Sequence, residues 1–572
     1  MIPSDHYTSL GELLRDSLIQ YKSETALIEM SRKRVAAQYT YLDVMRRGAQ
    51  LARALEDMGV GAGDRVAIVM SNQSAWLLSA YAVFFRGAVL VPIDYKLEAD
   101  EQETLLRHAT PKVLITEYGE WRLMDGVKAG NLDLETWVTE LPKGETPPAR
   151  THRWEELTPT EAPSFVSRSR SDQATLVYSS GTGGDPKGCM LTHDNYLAQY
   201  DSLMALFPME VGERYFSVLP TNHAIDFMCG FVGPFACGAT VLHQRSLRPE
   251  LIRHVLQNEG ITHMSVVPLI LEAFERRLDE QLDERTNVER YVLDGLQQIN
   301  AALTMRKPNH DVSRRVMKPV LEKLGPDLRY LFCGGAFVDE ARAQRFYELG
   351  LPVVIGYGLT EACTVLTVND LRPFRADSVG APVEGVELEV RGADSMGVGE
   401  IWARGRTVFA GYYKDEAQTA EVLQDGWLRT GDRGYLDPSG HLHLVGRSKN
   451  MIVTSGGKNI YPEDIESAFE GLDCEELVVY AQDYLWPRSD AALVGEELVA
   501  IVRPKEVKDD ESAWSEDLAR RNLKLPDFKR ISRVLLWDDE FPRTASMKVK
   551  RGVLADELRA KANPELLRSV RA

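Results

Sequence analysis

The run Tyr178-Ser-Ser-Gly-Thr-Gly-Gly-Asp-Pro-Lys-Gly188 has the composition of a loop that holds a polyanion. Small residues such as Gly181 and Gly183 let the backbone approach phosphate oxygens, the hydroxyls of Ser179, Ser180 and Thr182 can donate, and Lys187 adds charge. A Walker-type loop is the obvious competitor, and it fails on spacing. Starting from Gly181 it needs glycine at 186 and Ser or Thr at 188, where the chain has Pro186 and Gly188. Kinase glycine loops and dinucleotide fingerprints are absent too. Taken alone, a Gly-Ser run is also what an ordinary turn looks like. Further runs follow in order: Gly356-Tyr-Gly-Leu-Thr-Glu361, Leu428-Arg-Thr-Gly-Asp432, Gly446-Arg-Ser-Lys-Asn-Met-Ile-Val-Thr-Ser-Gly-Gly-Lys-Asn-Ile-Tyr-Pro462 and Pro542-Arg-Thr-Ala-Ser-Met-Lys-Val-Lys-Arg551.

These runs need a scaffold, and the chain supplies one. In the first 120 residues a helical stretch at 51–55, a Gly-rich turn at 59–64 and apolar strands at 66–70, 88–91 and 113–116 alternate, which predicts a mostly parallel sheet covered on both faces. Residues 141–171, rich in Pro, Thr and Ser, read as an exposed connection. A second α/β stretch spans about 173–370 and carries a charged helical insert, from 275 to about 324, read as a solvated face. Short Gly-punctuated strands over 380–444 predict a small antiparallel β subdomain, and the block after 446 fits a small α+β domain. The expected organisation is therefore a large N-terminal domain over 1–446, with two parallel α/β subdomains and a small β subdomain, then a mobile C-terminal domain over 447–572.

At 572 residues the chain is too long for one core, and its 67 basic against 85 acidic residues leave a net charge of −18. That balance argues against nucleic acid, whose phosphates need clustered Lys and Arg. Six cysteines without a CxxC pair fit reduced thiols and a cytoplasmic location. No signal peptide is visible, and the most apolar stretch, 75–93, is broken by Arg86-Gly87 and ends near Pro92. It reads as a buried helix leading into a buried strand, not as a transmembrane segment.

Five motifs in this order make the chain resemble the adenylate-forming superfamily of acyl-CoA synthetases, nonribosomal adenylation domains and luciferases, over essentially its whole length. The resemblance implies ATP, magnesium and coenzyme A as cofactors and a carboxylic acid as substrate. It implies that the loop 179–188 holds the β- and γ-phosphates, that Gly334, Gly335, Ala336 and the ring of Tyr357 flank the adenine, and that Gly358 is among the nucleotide-binding residues. Thr360 would contact the α-phosphate, and Glu361 would help hold magnesium, a hard cation suited to carboxylate and phosphate oxygens. Asp432 would accept from both ribose hydroxyls, with Arg447 in support. Lys548 would bridge the substrate carboxylate and the α-phosphate, Lys449 would be the hinge, Gly456 and Gly457 would line a pantetheine tunnel, and His223 would stand beside the acyl carboxylate.

Physically, two anions must meet in the first step, so cations are needed where negative charge develops. Two departures from the family pattern stand out. Gly183 replaces a hydroxyl residue in the phosphate loop, and Met547 replaces the glycine before the lysine. The insert and the run 454–460 resemble those of long-chain fatty acyl-CoA synthetases, so a fatty acid is the expected substrate, with transient membrane contact compatible with it. Phe227, Met228, Phe231 and Phe235 could line an acyl tunnel or form a helix core face. An aryl or branched acid, acyl carrier protein as acceptor, and a non-catalytic adenylate-binding homologue are the alternatives.

Overall fold

The computed structural model describes residues 3–124, 134–161, 163–179, 187–283, 286–305, 308–335, 337–453, 459–486, 497–505, 511–543 and 548–570. The chain divides into two compact units. Unit 1 comprises Met1–Ser179, Pro186–Leu388 and Ala403–Leu428; unit 2 comprises Ser180–Asp185, Glu389–Trp402 and Arg429–Ala572. The expected boundary at 446 falls inside unit 2.

Unit 1 is built from β1 (Thr25–Ser31), β2 (Arg34–Thr40), β3 (Arg65–Val69), β4 (Val89–Pro92), β5 (Val113–Glu117), β6 (Glu135–Thr139), β7 (Thr151–Arg153), β8 (Gln173–Ser179), β9 (Lys187–Thr192), β10 (Arg214–Ser217), β11 (Thr240–Gln244), β12 (His263–Val266), β13 (Tyr330–Cys333), β14 (Val353–Tyr357), β15 (Thr367–Val368) and β16 (Ala381–Pro382). Among the described residues they form two sheets, of order β7-β6-β5-β3-β4-β8-β9 and β16-β15-β14-β13-β12-β10-β11-β1-β2. Both are parallel through the middle and antiparallel at an edge, as β8–β9 and β1–β2 show. The predicted α/β class is what the structure has. The apolar run 75–93 becomes the helix Ser74–Phe85, buried at every position from Ser74 to Phe84, followed by the fully buried β4. A helix apolar all round must lie inside, and this one does.

Two expectations need correction, and one open alternative is resolved. The connection 141–171 is not simply exposed, because β7 joins a sheet and Trp154 is buried, donating its indole N–H to Ser79 Oγ at 2.9 Å beneath the Arg47 guanidinium. The charged insert is not wholly solvated: Arg342 donates to Glu275 at 2.7 Å, and Arg345 pairs with both Glu275 and Asp279, tying the helix Pro268–Asp283 to the helix Glu340–Glu348. Phe227, Met228, Phe231 and Phe235 are all buried, and the three phenyl rings pack in series (Phe227–Phe231 5.6 Å, Phe231–Phe235 5.1 Å), the first two against Trp76 and the third against Tyr41. They make a helix core, each ring contributing about 1.5–3 kcal/mol by burial.

The β subdomain is present as strands β17 (Val386–Arg391), β18 (Gly399–Gly405), β19 (Leu423–Gln424), β20 (Trp427–Leu436) and β21 (Leu442–Arg447). In unit 2, β22 (Ile452–Val453) pairs with β23 (Asn459–Ile460). The strands β24 (Glu476–Ala481), β25 (Leu498–Arg503), β26 (Ile531–Leu536) and β27 (Arg568–Ser569) make a mixed sheet in that order. Its strands alternate faces. Val479, Ala500 and Val502 pack against Ile465, Phe469 and Trp514, while Val478, Val499 and Ile501 pack against Leu554 and Leu558. Helices on both sides make this an α+β unit.

Candidate active site

The phosphate-loop motif spans the end of β8 and the start of β9, whose last register pair is Ser179 opposite Lys187. Ser180, Gly181, Thr182 and Gly183 lie outside the described residues, as do Ala336, Gly456 and Gly457. The segment after Phe409 lies beside β9: Met190 and Tyr413 donate their amides to Gly411 and Gly188, and Ala410 donates to Met190. That pairing carries Tyr412 to the motif, with Lys187 Nζ 5.1 Å from its ring centroid.

Tyr357 ends β14, and the chain then turns sharply. A Cβ on Gly358 would sit 1.8 Å from the Thr364 carbonyl oxygen, so only glycine fits there. Thr360–Ala362 form a 3-10 turn, followed by Cys363 at φ 53° and Thr364 at φ 113°. Positive φ is strained for a β-branched residue. Thr364 is held by its hydroxyl, which donates to Ala224 O at 3.1 Å, and the next amide, Val365 N, donates to Gln199 Oε1 at 2.9 Å. On the preceding strand, a Cβ on Gly334 would meet the Gly356 carbonyl at 3.1 Å, and Gly335 adopts φ 85°.

The turn aims Glu361 at Tyr412. The Tyr412 hydroxyl donates to Glu361 Oε1 at 2.9 Å, while the Glu361 carbonyl accepts from Phe409 N at 2.9 Å. Burial, then the charge of Glu361, pushes the Tyr412 hydroxyl well above its ordinary range, so it stays a donor. Burial and the same carboxylate raise the neighbouring Cys189 thiol. One tyrosine thus touches both the loop's cation and the expected metal ligand, and no motif pointed to it. Among the described residues no group of three or more His, Cys, Asp or Glu could hold a metal.

His223 precedes the short helix Ala224–Phe227, where its carbonyl accepts from Phe227 N at 2.9 Å. Its Nε2 lies 3.1 Å from Asp94 Oδ2. Three residues on, Asp226 is fully buried and accepts from the hydroxyls of Tyr215 (3.1 Å), Ser217 (2.7 Å) and Thr221 (3.0 Å). Burial raises its carboxyl to about 6 despite those donors. Gly230 leaves the room: a Cβ there would sit 2.8 Å from the carboxylate.

In unit 2, Asp432 and Arg447 are register partners on β20 and β21, and Arg447 Nε meets Asp432 Oδ1 at 3.0 Å. Gly431, at φ 74° inside β20, precedes the carboxylate, and Thr430 Oγ1 accepts the Asp432 amide at 3.1 Å. Lys449 sits in the 3-10 turn Ser448–Asn450. Lys548 is exposed and lies between two anchors. Val549 bridges to Arg543, which pairs with Glu476, and Lys550 N donates to Pro542 O at 2.7 Å. Arg551 donates to Glu466 at 2.6 Å and to Val479 O at 3.0 Å. The structure therefore groups Lys187, Thr360, Glu361 and Tyr357 with His223 in unit 1, and Asp432, Arg447, Lys449 and Lys548 in unit 2. Asp94, Asp226 and Tyr412 are the polar partners that no local motif announces.

The family model described as AMP-binding enzyme matches residues 14–413. The chain is 29% identical over 523 residues to a feruloyl-CoA synthase of Amycolatopsis, covering 90% of this chain and 92% of that protein. It is 30% identical over 437 residues to the long-chain-fatty-acid–CoA ligase FadD15 of Mycobacterium bovis, covering 73% and 70% respectively. Its fold matches the anthranilate CoA ligase AuaEII in complex with anthranoyl-AMP at a TM-score of 0.77 and 22% identity, over 98% of this chain and 99% of that one.

Proposed function

The chain belongs to the AMP-binding enzyme family, and from that membership we propose that it is an ATP-dependent acid–CoA ligase acting through an acyl-adenylate. A carboxylate oxygen attacks the α-phosphorus and pyrophosphate leaves; a thiol sulfur, that of coenzyme A, then attacks the acyl carbonyl and AMP leaves. The observation that carries the reading is the joint hold of Tyr412 on Lys187 and Glu361, beside the carboxyl ends of β8 and β14. Carboxyl ends of strands are where open α/β sheets receive ligands.

The roles follow. The loop from Ser179 to Lys187 takes the β- and γ-phosphates, Thr360 the α-phosphate, and Tyr357, Gly358, Gly335 and Ala336 the adenine. Glu361 would hold magnesium, which when bound would supply positive charge against the triphosphate. Asp432 accepts from the ribose hydroxyls, with Arg447 already fixed against it. Lys548 brings a second cation to the meeting carboxylate and α-phosphate, His223 stands at the acyl carboxylate, and the block from 447 is a lid hinged at Lys449, with Gly456 and Gly457 along the pantetheine path.

A fatty acid is the proposed substrate, supported by the helical insert and by the similarity to a long-chain ligase. An aryl acid is the second reading, supported by the similarity to a feruloyl-CoA synthase over a larger share of the chain. Among the described residues no helix is long and apolar enough to cross a membrane, so contact with a lipid surface would be peripheral. A pyrophosphate-release screen over fatty and aryl acids, with and without CoA, tests the reading. Acid- and ATP-dependent release supports it; ATP turnover indifferent to every acid overturns it.

A further inference from the structure

We propose that Asp94 is a positioning residue that acts through His223, holding the imidazole in a contact that bridges the two sheets of unit 1. The proposal rests on the acid–CoA ligase reading for the role of His223, but its geometry stands independently.

Asp94 lies two residues beyond β4 in one sheet, and His223 six residues beyond β10 in the other. Their contact therefore joins the carboxyl ends of two separate parallel sheets, the edge at which such folds bind ligands. A second crosslink runs beside it. Asn72, three residues beyond β3, donates to Ser217 Oγ at 2.8 Å and Leu219 O at 2.6 Å, and accepts from Thr221 N at 2.9 Å. Asp226 fixes Ser217 and Thr221 from the other side. The backbone leading to His223 is thus held at Ser217, Leu219 and Thr221 by bonds that do not involve Asp94. What remains free is rotation of the ring, and Asp94 is placed to set it.

Two observations separate this from an ordinary surface ion pair. His223 Nε2 and Asp94 Oδ2 are 3.1 Å apart, yet both are buried atoms without a well-directed hydrogen bond among the described residues. Catalytic contacts often stand off-axis in the free enzyme and tighten on the substrate complex. The carboxylate is also prepared for the task. Burial pushes it upward, but the imidazole, the Lys96 amide (2.9 Å to Oδ1) and Asn222 outweigh burial and hold it below the usual range. An anion facing Nε2 selects the tautomer protonated there and leaves Nδ1 for the substrate side. The Asp94 side chain exposes 7% of its surface and that of His223 30%, so the imidazole is the accessible member of the pair.

The test uses the full-length enzyme with Asp94→Asn, His223→Ala and the double variant. Nitrogen NMR of imidazole-labelled protein, with His223→Ala supplying the assignment, should show the Nε2–H tautomer in the parent and a mixed population in Asp94→Asn. With the best acid from the screen, Asp94→Asn should lower ATP–pyrophosphate exchange about 10–100-fold in the parent. In the His223→Ala background it should cost less than about 2-fold, the range of independent sites. An unchanged tautomer, or an equal loss in both backgrounds with circular dichroism and melting preserved, overturns the proposal. Absence of exchange with every acid would instead sink the ligase reading, while the tautomer would still decide the pair.

Discussion

Replacing Tyr412 with phenylalanine removes one oxygen and little else. The ring keeps its T-shaped contact with Phe409 at 4.9 Å and its face toward Lys187 at 5.1 Å, while the 2.9 Å hydrogen bond to Glu361 Oε1 is lost. Tyr412 is only 6% exposed, so water has little access to replace the donor. A hydrogen bond to a charged group is worth about 1.5–3 kcal/mol. At about 1.4 kcal/mol per decade that becomes roughly a 10- to 100-fold loss. The loss should fall on kcat/KM for magnesium–ATP in acid-dependent pyrophosphate exchange, because the proposed role has Glu361 acting while the triphosphate is present. Transfer from a pre-made acyl-adenylate to CoA should stay within about 2-fold of the parent. Tyr412→Leu, which also removes the ring, should be worse than Tyr412→Phe in the same assay. If Tyr412→Phe exchanges pyrophosphate like the parent at every magnesium concentration, Glu361 does not depend on this donor and the reasoning fails.

Lys548→Ala should abolish pyrophosphate exchange, a loss of at least about 100-fold, and largely spare thiol transfer from the pre-made adenylate; near-normal exchange refutes the role. Gly358→Ala forces a Cβ to within 1.8 Å of the Thr364 oxygen, so we expect little folded protein, or a melting temperature lowered by several degrees with exchange lost. The Asp226 carboxyl, raised to about 6 by burial, holds its proton in the folded state at pH values where an unfolded aspartate has released it. Its contribution is therefore complete below about pH 4 and is lost as pH rises through about 6, about 3 kcal/mol in all. Urea midpoints of the parent, relative to Asp226→Asn, should fall between pH 4.5 and 7; a parallel pair of curves refutes it.

The parts of this site that announce themselves in the amino-acid order are those whose chemistry is local. The phosphate loop, Gly358 and the Thr360–Glu361 turn need particular residues at adjacent positions, and Asp432 and Arg447 recur in motifs even though they meet only across a hairpin. Alternating helix and strand patterns likewise revealed the parallel sheets, because strands covered on both faces must be apolar throughout. The partners did not show. Tyr412 is 51 residues from Glu361, and Asp94 reaches His223 only because two sheets lie side by side. A single tyrosine or aspartate has no periodicity to read. The insert misled for a related reason: its alternating charges look the same whether they face water or the arginines Arg342 and Arg345. The phenylalanines after His223 were ambiguous because a large apolar side chain suits a core and a tunnel equally.

The anchors around Lys548 determine what kind of motion can serve it. Arg551 is half-buried, bonded to Glu466 and to the Val479 carbonyl, and Arg543 is held by Glu476, so the residues flanking Lys548 on both sides are tied to the same sheet. On the proposed role, the amine would therefore arrive and depart with the folded body that carries it, and would not search for a ligand like the tip of a loose tail. The amine's availability should therefore change in a single step, and a population of half-engaged lysines should have no structural basis.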